Sequence, residues 1–294
     1  MHKHAHDQTG ESDRIGLAFI LNFCFTIIEF IGGWLTNSTA IMADAIHDLG
    51  DTLSIGLAWI LGKLSKKNAD SRFTYGYRRL SLLGALVNGA VLLLGSLWIL
   101  YEAIPRLWEP VMPHVPGMFW LAILGVVVNS FAAYKLSQGK TLNERILNWH
   151  LLEDVLGWVA VLIVSIVLLF VEWPILDPVL SIVFTLFILS NVARNTITTI
   201  KLFLQAVPDE SVRKEVQQKL ESIKHVTSVH HLHFWSLDGE HHVLTAHLVL
   251  DSCLDTNLQK RVKNQVEDSL KQYGFSHTTI ELEQAEEVCR DTNI

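Results

Sequence analysis

Ala43-Asp44-Ala45-Ile46-His47-Asp48-Leu49-Gly50-Asp51 lies inside an apolar run, 40–63, and a second run, 149–171, opens on Trp149-His150-Leu151-Leu152-Glu153-Asp154. Each run holds a histidine and an aspartate four residues apart: His47 with Asp51, and His150 with Asp154. Both runs are long enough to cross a bilayer as a helix, which takes about 20 residues. Ionisable groups at that depth are costly and mark a functional site. Residues i and i+4 share a helix face. Two such faces turned together offer two imidazole nitrogens and two carboxylate oxygens, a tetrahedral donor set that zinc accepts.

The residue types suit a transported ion. Two carboxylates neutralise a divalent cation, which lowers the cost of holding it away from water. Two imidazoles turn the preference from magnesium and calcium, which favour oxygen, toward zinc-like ions. Imidazole titrates near neutrality and must be deprotonated to bind metal, so metal and protons compete. Alternate occupation on the two sides of a membrane would give antiport. Asp44, Asp48 and Glu153 point off the paired faces and read as packing or entry-path groups.

The 294 residues are 50% hydrophobic. The apolar residues concentrate in the first two thirds, where six runs read as spans: 15–36, 40–63, 80–104, 118–137, 149–171 and 175–200. The expected fold is a six-helix transmembrane bundle over 15–206, preceded by a cytoplasmic histidine-bearing segment, 1–14, and followed by a cytoplasmic domain, 207–294. Nothing at the N-terminus reads as a cleavable signal. Asn22, Glu29, Asn88, Glu102, Asn129 and Asp177 are polar residues scattered through the spans, each more simply a helix-packing contact than a ligand. Gly32 and Gly33 would allow close helix approach, and Pro105, Pro110, Pro113 and Pro116 interrupt the chain after span three. Lys63, Lys66, Lys67, Arg72, Arg78 and Arg79 follow span two, and Lys135, Lys140 and Arg145 follow span four, so both termini are expected in the cytoplasm.

Residues 207–294 carry a net charge of −6 of the chain's −7, with 8 of its 14 histidines. An acidic, imidazole-rich segment attracts cations and excludes nucleic acid as a partner. Pro208 and Asp209 mark a helix start. Strands are expected at 226–237 and 242–250, joined by Asp238-Gly239, a hairpin signal. A helix at 255–272 and a strand at 276–283 complete an αββαβ order, a small α+β domain. So small a core gains from dimerisation or metal. Strand alternation puts His231 and His233 on one face and His230 on the other. His231, His233, His241, His242 and His277 read as surface or interface groups. His2, His4 and His6 read as weak metal capture. Cys24, Cys253 and Cys289 imply neither disulfides nor a zinc ribbon; Cys24 is expected to be buried.

Several motifs together resemble the cation diffusion facilitator family. The stretch 37–51, Asn37 to Asp51, is similar to its second-helix signature; Tyr75-Gly76-Tyr77-Arg78-Arg79 resembles its loop motif before helix three; 150–154 and Asp177-Pro178 match helices five and six. The likeness spans about 14 to 283 and is nearest the zinc-transporter branch, with bacterial cobalt–zinc–cadmium resistance exporters and vesicular zinc transporters. It implies six spans, a metallochaperone-like (ferredoxin-like) cytoplasmic domain, a homodimer in a membrane, and export of Zn2+, with Cd2+ or Co2+, against protons. It implies a second, cytoplasmic metal site at His230, His247 and Glu281; Cys289, eight residues past Glu281, is a candidate further thiolate across the dimer by its position alone. It also implies that His at position 47 favours zinc over cadmium. The missing long histidine-rich insert favours a bacterial inner membrane. Two other classes remain open: an intramembrane zinc enzyme, disfavoured because no HExxH occurs and Glu153 faces away from the site, and a membrane-anchored metal sensor, which leaves the buried pairs unexplained.

Overall fold

Six long helices lie between Ala5 and Phe203 among the described residues: α1 (Ala5–Thr36), α2 (Thr39–Ser65), α3 (Leu80–Ala103), α4 (Val115–Ser137), α5 (Leu142–Phe170) and α6 (Leu176–Phe203). The computed structural model describes residues 5–65, 67–137 and 142–291; the side chains of 5–18, 21, 58, 59, 62, 135, 136 and 142–150 lie outside that description. Among the described residues, four segments are long and apolar enough to cross a membrane: Leu80–Leu107, Val115–Tyr134, Leu151–Phe170 and Leu176–Phe203. The apolar part of α1, Asn22–Thr36, is shorter, and α2 is set apart by Asp44, Asp48 and Asp51. Large apolar side chains such as Leu94 (69% exposed) and Val183 (62%) face outward, an arrangement that lipid stabilises and water does not. Cys24 also lies on the exposed surface of α1, not in the core.

The chain divides into two compact units, 1–59 with 85–196, and 60–84 with 197–294. The loop after α2 thus groups with the C-terminal segment, a division the sequence boundary at 206/207 did not anticipate. In the helical unit, Phe25, Ile41, Met118, Trp158 and Val161 form a core, with Phe25 and Trp158 in edge contact at 5.5 Å. Gly32 lets Leu121 of α4 come close; a Cβ there would lie 2.5 Å from its Cδ1. Asp177, at the start of α6, caps α2. It accepts bonds from Thr39 N (2.7 Å), Thr39 Oγ1 (2.8 Å), Ser38 Oγ (2.5 Å) and Ala40 N (3.3 Å). Ser181 Oγ adds a bond to Thr39 O at 3.0 Å. The carboxylate satisfies orphan amides at a helix N-terminus, where negative charge is favoured.

In the second unit, α7 (Glu210–Glu221) and α8 (Thr256–Leu270) are capped by Asp209 and Asp255. β1 (Val226–Ser236) pairs antiparallel with β2 (His242–Leu250), and β2 pairs parallel with β3 (His277–Glu283), giving the order β1-β2-β3. Asp238 Oδ1 accepts from Glu240 N (3.0 Å) and His241 N (2.8 Å) and shapes the hairpin turn. Leu244, Ala246, Leu248 and Leu250 of β2 pack with Val216 and Leu220 of α7 and Val262 and Val266 of α8. Alternation then assigns His247 to the opposite sheet face.

Candidate metal centres

His47 and Asp51 come from α2 and Asp154 from α5. His47 Nε2 stands 3.6 Å from Asp51 Oδ2 and 3.8 Å from Asp154 Oδ1. Asp154 is 2% exposed, while His47 and Asp51 are partly open, at 19% and 23%. All three line a cavity of about 240 Å³ together with Glu153, Asn88 and Phe184. The Phe184 ring meets the His47 imidazole edge-on at 5.9 Å. His150 lies on α5 one turn before Asp154, but its side chain is outside the described residues. α5 begins at Leu142, so His150 sits about two turns inside the helix and not at its start. Glu153, turned from Asp154 by one helical step, is exposed and reaches the same cavity.

Three further acids lie within electrostatic reach of Asp154. Glu29 is 0% exposed, Asp48 1% and Asp44 2%. Glu29 of α1 meets Asp48 of α2 and Trp158 of α5, and Gly157 of α5 packs near Asp44, where a Cβ would lie 3.5 Å from Oδ1. No lysine or arginine forms an ion pair with any of the three among the described residues. Carboxyl groups this deep persist by carrying a proton or sharing a cation. The sequence showed Glu29 as one polar residue among several; its burial beside Asp48 depends on packing between helices that periodicity does not reveal.

A second cluster forms on the sheet face away from α7 and α8. His230, His247, Glu283 and Cys289 each offer a ligand atom, all within 4.8 Å of one another. Glu283 receives His247 Nδ1 at 2.7 Å and His230 Nε2 at 3.1 Å, and Cys289 Sγ stands 3.5 Å from His247 Nδ1. Burial alone would raise the Glu283 pKa, but hydrogen bonds from Cys289 and His247 and the charge of His230 outweigh it and hold it below the usual range. Burial and the neighbouring Glu283 push the Cys289 thiol up. Glu281 stands on the other side of His247, its Oε2 3.7 Å from Nε2, and pairs with Arg290. Glu283, not Glu281, therefore joins the cluster. Both lie on one strand face, and the β2–β3 register sets His247 opposite Glu281, a register no local sequence signal gives.

The histidine alternation also shifts. β1 is bulged between His230 and His233, and His231 takes φ 46°. The bulge brings both His230 and His231 against His247, with ring centroids 5.4 and 5.2 Å apart. An extra residue in one strand breaks alternation in this way. His241 binds Asp238 at 2.7 Å, and His277 meets the Tyr75 ring. His2, His4 and the side chain of His6 lie outside the described residues.

Apolar spanning helices around an imidazole–carboxylate cavity define a membrane protein that handles metal cations. Residues 15–204 match the cation efflux transmembrane domain, and 208–285 the cytoplasmic domain of cation efflux proteins. A cadmium, cobalt and zinc/H(+)-K(+) antiporter of Bacillus subtilis is 32% identical, covering 95% of this chain and 91% of its own. Zinc transporter ZitB of Yersinia pseudotuberculosis is 34% identical over 94% and 89%. Metal cation efflux system protein CzcD of Cupriavidus metallidurans is 31% identical over 96% and 90%. The chain belongs to the cation diffusion facilitator family, in its zinc-transporting branch: it is a cation-efflux transporter and not an enzyme.

Proposed function

We propose that the protein exports Zn2+, and with it Cd2+ or Co2+, from a bacterial cytoplasm in exchange for protons. The convergence of His47, Asp51 and Asp154 on one cavity supports this reading most directly. His150, one turn from Asp154, supplies the fourth donor. Two carboxylates balance the ion's charge, and protonation of the imidazoles opposes it. A proton taken up on one side therefore releases metal there, and metal binding on the other side expels it. The buried carboxyls Glu29, Asp44 and Asp48 are further groups beside the site that can hold protons. The Bacillus subtilis relative is named a cadmium, cobalt and zinc/H(+)-K(+) antiporter, which supports proton coupling.

The reading includes six spans, both termini in the cytoplasm, and a homodimer. Clustered Lys and Arg after α2 support the orientation, and the match to the cytoplasmic efflux domain supports pairing. His230, His247, Glu283 and Cys289 would hold a resident zinc. Their nitrogen, oxygen and sulfur donors fit, because ligands about 2.1 Å from zinc lie about 3.4 Å apart in a tetrahedron. Bound there, zinc supplies a cross-link between β1, β2, β3 and the segment after β3.

Zinc-dye-loaded proteoliposomes test the proposal. Zinc flux should follow an imposed pH gradient, and Asp51→Ala or Asp154→Ala should abolish it while the protein stays folded. Normal flux in either variant would place the site elsewhere, and flux indifferent to pH would end the antiport reading.

A further inference from the structure

The second unit contains a cavity of about 460 Å³ that nothing in the transport cycle uses. Its size is that of a small-ligand pocket. Arg72, Phe73, Arg79, Leu83, Phe203 and Trp235 are among its walls. Leu83 stands in the first turn of α3 and Phe203 ends α6, so the cavity lies where two apolar helices leave their spans.

One wall is a loop with a fixed shape. Asp70 Oδ1 accepts from Arg72 N and Phe73 N, both at 2.8 Å, and Oδ2 accepts from Tyr77 Oη at 2.6 Å. The Tyr77 hydroxyl and then these amides hold the Asp70 carboxyl below its usual range. The Tyr77 ring lies 4.6 Å from that of Phe73, and Lys67 Nζ lies 5.1 Å from its centroid. Gly76, at φ 75°, donates to Phe73 O at 2.9 Å, a turn that side chains disfavour. A wall held this way loses little entropy when it binds something.

Its charge is unbalanced. Arg78 is engaged with Asp238 at 3.7 Å. Arg72 and Arg79 have no carboxylate in ion-pair reach among the described residues, and Arg79 Nη2 is covered by protein without an acceptor. Between 63 and 79 the chain has six basic residues and one acid, Asp70. Guanidinium groups in such a place suit a phosphate, and the apolar floor of Leu83 and Phe203 suits an alkyl chain.

We propose that this cavity binds an anionic phospholipid, its phosphate between Arg72 and Arg79 and the start of one acyl chain over Leu83 and Phe203. A zwitterionic lipid carries a cationic group into the same basic wall and binds poorly. The proposal needs only that the helices sit in a bilayer, and it stands apart from the transport reading.

Native mass spectrometry of the delipidated full chain in neutral detergent tests it, with phosphatidylglycerol and phosphatidylcholine titrated separately and inorganic phosphate as competitor. Phosphatidylglycerol should bind in preference, and R72Q/R79Q should weaken it roughly 25-fold, the product of two basic charges each worth about fivefold at a membrane surface. R72K/R79K, which keeps both charges but not the forked donors, should recover part of the affinity lost in R72Q/R79Q. Equal retention of both lipids, or unchanged affinity in R72Q/R79Q, overturns the proposal. So does displacement by millimolar inorganic phosphate, which would reveal a simple anion site. Loss of binding in R72K/R79K with unchanged thermal unfolding would also overturn a charge-based site.

Discussion

Replacing Asp177 by alanine should loosen α2, the helix that carries His47 and Asp51. The carboxylate is 1% exposed and accepts from two backbone amides and two hydroxyls. The hydroxyls of Ser38 and Thr39 can rotate to other acceptors; the amides of Thr39 and Ala40 cannot. Each buried amide left unpaired costs about 1–3 kcal/mol, so the pair costs about 4 kcal/mol, and loss of the charge at the helix end adds up to about 1 kcal/mol. At about 2–4 °C per kcal/mol for a domain of this size, unfolding should fall by roughly 10 °C. Asp177→Asn keeps one acceptor but turns an NH2 toward a donor, so it should recover less than half of that. The assay is retention of the monodisperse protein in detergent after heating, with zinc binding measured below the transition. A shift in Asp177→Ala no larger than that of a surface control would show that the network does not hold α2.

His47→Asp should widen acceptance toward cadmium by trading an imidazole for an oxygen donor; an unchanged zinc-to-cadmium ratio in competition flux would refute it. His230→Ala with His247→Ala should slow transport and remove zinc stabilisation of the C-terminal segment without abolishing flux, read by flux assay and hydrogen exchange; complete loss of flux would show that the domain is obligatory. Burial opposes the Asp238 carboxylate, but bonds from His241 and Glu240 prevail and lower its pKa. Its contribution to the hairpin is therefore complete above the unfolded aspartate value of about 3.9 and is lost as pH falls through the lower folded value. Amide exchange at Glu240 and His241 should rise only in that acid window; a rise near neutrality would contradict it.

The spacing of His47 with Asp51 and of His150 with Asp154 was visible because a helix repeats every 3.6 residues. The elements of the C-terminal domain were legible because local chemistry marks them: Asp209 and Asp255 cap helices, and Asp238-Gly239 turns a hairpin. Glu283 was not legible. The parallel register sets His247 opposite Glu281, and Glu283, two residues further along the same strand face, reaches His247 diagonally through its side chain, while a bulge at His231 breaks the expected alternation of β1. Cys24 failed for another reason. A helix apolar on every side carries no sign of which side faces its neighbours, so its exposure emerges only from packing. The same blindness hid Glu29, which is informative only once Asp48 and Trp158 are seen against it.

A helix anchored at one tip can swing but cannot slide. Asp177 fixes the tip of α2 at Thr39, and at 1.5 Å per residue His47 lies about 12 Å and Asp51 about 18 Å along the lever. A tilt of roughly 10° about that anchor carries Asp51 about 3 Å, more than a metal–ligand bond of about 2 Å, while His47 travels about 2 Å. A small hinge at the rim would thus be amplified at the cavity, and the two donors of one helix would let go unequally.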